Sequence, residues 1–121
     1  MFDNFFNKDK SENSNLNRII LIDEDQLDEI LNSSIQKTIL IFKHSTRCGV
    51  SSMALKRFEK KISKSTNDFD FYYLDILKNR NLSNSIATKF NVYHESPQLL
   101  VIKNKQLIAH ASHFDILDVS F

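Results

Sequence analysis

The chain has 121 residues, of which 41% are hydrophobic and 26% are charged, the proportions of a single soluble globular domain. This composition excludes a disordered chain, a fibrous repeat and a disulfide scaffold. Sixteen Lys and Arg residues against fifteen Asp and Glu residues leave a formal net charge of +1. No global field therefore favours nucleic acid or anionic lipid as a partner.

The start of the chain shows no targeting pattern. Residues 7–17 are polar and have no period, so residues 1–17 are predicted to be a flexible lead-in to one domain, residues 18–121. Three early phenylalanines could form one turn of an amphipathic helix packed loosely on that domain: Phe2, Phe5 and Phe6. Neither a secretory signal nor a run of roughly 18–20 apolar residues is present, which predicts a cytoplasmic, soluble protein.

The first half of the chain predicts two strands, each followed by a helix. Residues 19–22 form a short apolar run, consistent with a buried strand. Asp23 and Gln26 then form a capping-box pattern at the start of a helix. A denser apolar run over residues 38–42 predicts a second buried strand. The next helix carries apolar residues at every fourth position, namely Val50, Ala54, Phe58 and Ile62.

The second half predicts a strand over residues 69–74, a helix over roughly residues 79–90 and a strand over residues 98–102. A turn-like break separates the last of these from a strand over residues 107–111, so the two form a hairpin, and a short closing helix follows. The alternation predicts parallel neighbours with right-handed crossovers, with the hairpin adding an antiparallel edge. The expected fold is α/β, a mixed central sheet (β-α-β-α-β-α-β-β-α) with helices on both faces.

Cys48, the only cysteine, lies where the second strand has ended and the next helix begins. Unpaired N–H groups and the helix dipole favour the thiolate at such a position. Lys43, His44 and Arg47 add nearby cations that act in the same direction. Ser51 could direct its hydroxyl at the sulfur. The alternative is a buried, inert cysteine beside an ordinary helical serine. A reactive Cys48 is favoured because Arg47 and the only glycine flank it.

Pro97, the only proline, opens the fourth strand, which is predicted to run beside the strand that leads to Cys48. Base rates alone favour a trans peptide at Ser96–Pro97. A cis peptide would leave the backbone of Ser96 free to pair with a docked thiol ligand or peptide.

The histidines give no metal-site prediction. His110 and His113 have a spacing too common to indicate a metal, and a lone cysteine makes a closed zinc site unexpected. His44 is expected to be an exposed loop residue. A single cysteine cannot form an intramolecular disulfide, which fits a reducing compartment.

The element order, the Cys-x-x-Ser at the start of the second helix and the Ser-Pro before the fourth strand resemble a thioredoxin-like fold. That resemblance implies a cis peptide at Pro97. Within this fold, Phe42-Lys-His-Ser-Thr-Arg-Cys-Gly-Val-Ser-Ser-Met-Ala and His94-Glu-Ser-Pro-Gln resemble the monothiol bacilliredoxins, which are bacillithiol-system proteins of certain bacteria. The similarity extends from about Ile19 to the C-terminus.

The motif departs from the family at one position. Family members more often have proline directly after the cysteine, where this chain has Gly49. The departure loosens the turn and brings the motif closer to the Cys-Gly-Phe-Ser of monothiol glutaredoxins. Those proteins usually carry a Gly-Gly pair after the proline strand. Residues 104–113 contain no glycine, which weakens an iron–sulfur glutaredoxin interpretation.

The resemblance implies a monothiol thiol–disulfide oxidoreductase that removes bacillithiol, or a similar small thiol, from protein mixed disulfides. The implied catalytic residues are Cys48 and Ser51, and Arg47 or Lys43 could hold the malyl carboxylates of bacillithiol. The residues expected to bind thiol or substrate are Lys43, His44, Arg47, Gly49, Val50, Ser96 and Pro97.

The expected partners are S-thiolated proteins and a low-molecular-weight thiol, with bacillithiol as co-substrate and no permanently bound cofactor. Nucleic acid and membranes are not expected partners, and the sequence predicts no oligomeric state. Two alternatives stay open: an iron–sulfur or thiol-binding module like a monothiol glutaredoxin, and a non-catalytic interaction protein on the same scaffold.

Overall fold

The structure, a computed structural model, describes residues 17–121; the predicted lead-in and its phenylalanine-rich turn lie outside them apart from Asn17. The strands are β1 (Arg18–Ile20), β2 (Thr38–His44), β3 (Phe69–Asp75), β4 (Gln98–Lys103) and β5 (Gln106–Ser112). The helices are α1 (Asp25–Ser33), α2 (Gly49–Ile62) and α3 (Arg80–Phe90), followed by a 3₁₀ helix (His113–Asp118). The predicted order of elements is confirmed. No helix within residues 17–121 is long and apolar enough to cross a membrane.

The five strands form one mixed sheet in the order β1-β3-β2-β4-β5. β1, β3 and β2 are parallel, whereas β4 is antiparallel to β2 and β5 is antiparallel to β4. The expectation of parallel neighbours is therefore wrong for β4. Residues 91–97 return the chain to the edge where β2 ends, and Gln98 pairs there with Lys43. This confirms that the proline-led strand runs beside the strand that leads to Cys48.

β1 is an exposed edge strand rather than the buried strand that its apolar residues predict. Ile20 is 51% exposed, while Leu21, just beyond the strand, is fully buried. The chain then turns into α1 through the predicted capping box, which is confirmed. The backbone N–H of Gln26 donates to Asp23 Oδ1, and the N–H of Asp23 donates to Gln26 Oε1, both at 3.1 Å.

β2 is buried along its whole length, and its side chains alternate between two apolar cores. Ile41 packs with apolar residues of α1 and α3 on one face of the sheet. Phe42 packs with those of α2 and the 3₁₀ helix on the other. Helices therefore cover both faces, as predicted. The same alternation sends the last two side chains of β2, Lys43 and His44, to opposite faces.

The core under α2 is built around three aromatic rings. Phe58 is fully buried, with its ring centroid 5.9 Å from that of Phe42 and 6.0 Å from that of Phe71. We expect Phe58→Ala to lower the free energy of unfolding by about 3–5 kcal/mol, measured by urea denaturation. Ile35→Ala is the matched control, because Ile35 is 55% exposed and should cost no more than about 0.5 kcal/mol. Equal losses in the two variants would contradict this core.

Candidate active site

Cys48 occupies the residue directly before α2 and is half-buried and free of any disulfide. Its backbone is extended, with φ −107° and ψ 121°. The N–H of Cys48 donates to the carbonyl of Ser45 at 3.1 Å, and its own carbonyl accepts from the N–H of Ser52 at 3.0 Å. The predicted position at a helix N-terminus is confirmed, so the sulfur is carried where first-turn N–H groups are unpaired.

Ser51 is fully buried on α2, and its hydroxyl is bonded to groups other than the predicted sulfur. Ser51 Oγ accepts from the backbone N–H of Ser45 at 3.0 Å and lies 2.7 Å from Nδ1 of His44. The hydroxyl keeps one lone pair and its proton for Nδ1, so the tautomer of His44 sets the direction of this second bond. The interpretation of Ser51 as a partner of the Cys48 sulfur is corrected: its bonds tie the turn before Cys48 to the end of β2.

His44 is the last residue of β2 and is only 5% exposed, so its predicted place in an exposed loop is wrong. The strand continues through Lys43 and His44 because both stay in register with β3, where His44 pairs with Asp75. Burial lowers the pKa of His44, and the Asp75 carboxylate opposes this in part. The lowered pKa favours the neutral imidazole beside Ser51.

Lys43 is fully buried on the opposite face of the sheet, against α3. Its Nζ donates to the carbonyl of Ser83 at 3.0 Å and lies 3.4 Å from Nδ1 of His94. Burial lowers the pKa of Lys43 to about 8. The expectation that Lys43 holds carboxylates of a small thiol is wrong, because its ammonium is enclosed. Arg47, exposed in the turn directly before Cys48, remains accessible for that role.

The Ser96–Pro97 peptide is cis, as the resemblance implied and against the base-rate expectation. Pro97 is buried, and its carbonyl accepts from the N–H of His113 at 3.0 Å. Ser96 is half-buried, but its Oγ is enclosed without a hydrogen-bond partner. Both residues lie at the start of β4, beside the end of β2 that leads into the Cys48 turn.

Two further site residues lie on the exposed side of α2. Val50 is 42% exposed, so its predicted place on the apolar face of the helix is wrong. That face is formed by Ala54, Leu55, Phe58 and Ile62. Gly49 is exposed, and a Cβ built on it would meet nothing within 4 Å. The surface next to Cys48 is therefore open on this side.

A polar cluster on the α3 face of the sheet was not predicted from the sequence. Nδ1 of His94 lies 3.0 Å from Ser83 Oγ, in addition to its approach to Lys43. Gln98 is buried at the start of β4 and donates from Nε2 to the carbonyl of Tyr93 at 2.8 Å. The sequence contained one signal that could have pointed to these residues: His94 and Gln98 lie close to the only proline, on either side of it. Within residues 17–121, no three His, Cys, Asp or Glu side chains come together as a metal-ligand set.

This sheet, with a single cysteine at the start of α2 and a cis-proline at the start of β4, defines a thioredoxin-fold protein of the one-cysteine type. A solved thioredoxin-fold structure assigned as an oxidoreductase is 35% identical, with a TM-score of 0.73, covering 82% of this chain and 85% of its own. The thioredoxin Mala s 13 of Malassezia sympodialis is 21% identical, with a TM-score of 0.67, covering 84% of each chain. Schistosoma mansoni thioredoxin is 23% identical, with a TM-score of 0.64, covering 84% of this chain and 87% of its own.

A family model described as monothiol bacilliredoxin BrxC matches residues 19–120. The chain belongs to the monothiol bacilliredoxin family. Together with the oxidoreductase neighbour, this membership makes it a thiol–disulfide redox protein at the level of class.

Ser51→Ala tests the buried bonds behind Cys48. The substitution leaves the N–H of Ser45 and Nδ1 of His44 without their partner, and we expect it to cost about 1–3 kcal/mol of unfolding free energy. Ser52→Ala is the control, because its side chain is exposed on the same turn of α2 and should cost no more than about 0.5 kcal/mol. Urea denaturation of both variants measures the two changes in unfolding free energy. An unchanged midpoint for Ser51→Ala would contradict the hydrogen bonds from Ser51 to Ser45 and His44.

Gly49→Pro tests whether the sole glycine is needed for the backbone. Proline fits the first residue of a helix, and a Cβ at this position meets no atom within 4 Å. The extended Cys48 backbone is the conformation that proline demands of its predecessor. We expect a gain of about 0.4–1 kcal/mol through the unfolded chain. Ser52→Pro should instead cost about 3 kcal/mol, since it removes the N–H that bonds the Cys48 carbonyl. Thermal denaturation compares the two, and a destabilised Gly49→Pro would show that the turn requires glycine.

Proposed function

We propose that this protein removes bacillithiol from protein mixed disulfides, using Cys48 as the nucleophile. The observation that carries the proposal is the placement of the only cysteine at the N-terminus of α2, in a chain of the monothiol bacilliredoxin family. The start of β4 at Ser96 and Pro97 supports it, because it lies beside the end of β2 that leads to Cys48, and a thiol adduct held on Cys48 needs backbone groups beside it.

The first step is a thiol–disulfide exchange. The Cys48 thiolate attacks the bacillithiol sulfur of the mixed disulfide, so the bond from Cys48 to bacillithiol forms as the bond from bacillithiol to the protein substrate breaks. The substrate leaves as a thiolate and takes a proton from solvent. No net oxidation occurs in this step, since one disulfide replaces another.

The second step needs another small thiol. Cys48 is the only cysteine of the chain, and the Ser51 hydroxyl is buried in its bonds to Ser45 and His44. The chain therefore has no second thiol that could attack the adduct, release bacillithiol and form an internal disulfide. A second bacillithiol thiolate attacks the adduct, forms bacillithiol disulfide and returns Cys48 as the thiolate.

The surrounding residues have separate roles in this proposal. The first-turn N–H groups and the dipole of α2 stabilise negative charge on the sulfur in each step. Arg47 is the exposed cation nearest in sequence to Cys48 and is proposed to bind the carboxylates of the small thiol. The backbone of Ser96 and the open surface at Gly49 and Val50 border the adduct.

Intact mass spectrometry tests the transfer directly. Reduced protein mixed with a bacillithiol-modified protein should gain the mass of one bacillithiol while the substrate loses it, and Cys48→Ser should gain nothing while keeping its fold by circular dichroism. A glutathione-modified substrate is run in parallel. Transfer from glutathione alone would change the proposed thiol, and transfer by Cys48→Ser would rule out the nucleophile.

If neither substrate reacts although Cys48 is alkylated by iodoacetamide, the exchange proposal is wrong. Anaerobic reconstitution with iron and sulfide then separates the remaining alternatives. A coloured protein would indicate an iron–sulfur module, and a colourless one a non-catalytic scaffold.

A further inference from the structure

Residues 91–97 link α3 to β4 without forming helix or strand, and they end in the cis peptide at the active-site edge. Side chains of the sheet and of α3 hold this segment. Gln98 Nε2 donates to the carbonyl of Tyr93 at 2.8 Å. His94 directs Nδ1 to Ser83 Oγ at 3.0 Å and to Lys43 Nζ at 3.4 Å. Side-chain contacts from β2, α3 and β4 therefore tie down the segment that leads to Ser96 and Pro97.

These contacts use the ammonium of a buried lysine. Lys43 is buried away from water. The ion pairs found within residues 17–121 join other side chains, so none of them pairs the Lys43 ammonium with a carboxylate. Enclosing an ammonium without an anion costs free energy that an aliphatic side chain of similar volume would not. Two further enclosed atoms lack hydrogen-bond partners, Oε1 of Gln98 and Oγ of Ser96. Gln98 stands directly opposite Lys43 in the sheet.

The contact between Lys43 and His94 depends on the charge of the imidazole. An ammonium has no lone pair, so it bonds Nδ1 of His94 only when that nitrogen carries no proton, as in a neutral ring protonated on Nε2. His94 is exposed at the surface, and partial desolvation is the main cause that lowers its pKa, followed by Lys43 on β2 and Arg80 on α3, while Glu95 opposes them. As pH falls through that lowered pKa, two cations would stand 3.4 Å apart and the contact would be lost.

We propose that Lys43 and His94 are positioning residues that hold residues 91–97, and with them Ser96 and Pro97, ready for the incoming mixed disulfide. The proposal rests on the proposed function for its catalytic consequence. Neither residue touches the reacting sulfur atoms. Lys43 acts through His94, and His94 acts through the four-residue path to Pro97. The buried charge lowers stability and in return fixes the segment that borders the adduct.

The first test needs no substrate. Hydrogen exchange of residues 91–97 is compared by mass spectrometry in the wild-type protein, Lys43→Met and His94→Gln, with His110→Gln as the matched control on exposed β5. We expect faster exchange in this segment for Lys43→Met and His94→Gln, and wild-type exchange for His110→Gln. Lys43→Met should unfold at the same or a higher urea concentration than the wild type, because it removes an unpaired buried charge. Unchanged exchange in both variants would overturn the proposal.

The second test compares two reactions of Cys48. Transfer from a bacillithiol-modified protein needs residues 91–97 in place, whereas alkylation by iodoacetamide does not. Lys43→Met should lower the transfer rate constant about ten- to a hundred-fold, mainly through KM, and leave alkylation unchanged. Equal transfer and alkylation losses would indicate general damage instead of positioning and would contradict the inference. A wild-type protein that transfers nothing would refute the proposed function, and hydrogen exchange would still decide whether the segment is held.

The third test is the pH profile of the ratio of transfer to alkylation, in which the titration of Cys48 itself cancels. For the wild type and His110→Gln this ratio should fall as the pH drops through the lowered pKa of His94. For His94→Gln the ratio should stay flat over that range, because glutamine does not titrate and Lys43, with a pKa of about 8, keeps its proton there. A fall of the same size in His94→Gln would assign the effect to another group and would exclude His94 as the pH-sensitive contact.

Discussion

The architecture of the site depends on the period-2 alternation of one buried strand. β2 lies in the middle of the sheet, paired to β3 on one side and to β4 on the other, and every residue from Thr38 to His44 is buried. Its last two residues are polar, and the pleat directs them to opposite faces. His44 reaches the helix that follows Cys48, and Lys43 reaches the segment that leads to Pro97. A slip of one residue would exchange these partners and separate both contacts from their loops.

The two polar contacts solve the same physical problem on opposite faces of the sheet. Loops that carry chemistry lack the repeating hydrogen bonds of helices and strands, so side chains must fix them. On one face, Ser51 bonds both His44 and the backbone of Ser45, which immobilises the turn before Cys48. On the other, Lys43 and Ser83 bond His94. Each contact uses a buried polar residue, His44 or Lys43, at the end of a strand that is otherwise apolar. Burying these residues lowers the stability of the protein at the place where the site needs to be ordered.

Sequence reasoning predicted the features that depend on local pattern. The apolar runs located four of the strands closely, the capping box of Asp23 and Gln26 formed as expected, and the helix after Cys48 began at Gly49. Three features could not be predicted in this way. The direction of β4 is set by the path of residues 91–97, which contains no periodic signal. The exposure of Val50 reflects its place at the first turn of α2, where the helix projects beyond the core.

The third failure concerns polar residues in a buried strand. Lysine and histidine are mostly exposed in proteins, and from the sequence His44 was expected in an exposed loop and Lys43 was expected to act as a cation near Cys48. Their burial comes from pairing with β3 and β4, which continues past the last apolar residue, Phe42. Only the partners on α2 and α3 make that burial tolerable, and those partners lie far along the chain. A charged residue at a strand end is therefore ambiguous in sequence, and its meaning comes from tertiary contacts.

The single glycine of the chain stands where the backbone does not need it. The left-handed conformations of the described residues are taken by Asn91, Asn104, Lys105 and His113, although a glycine would adopt them at lower cost. Gly49 has no such φ and no neighbour that would exclude a side chain. Its consequence is instead spatial, because it leaves the surface beside Cys48 open. The proposed function needs such an open side, because in that proposal Cys48 holds a small-thiol adduct and a second thiol must reach it to release it.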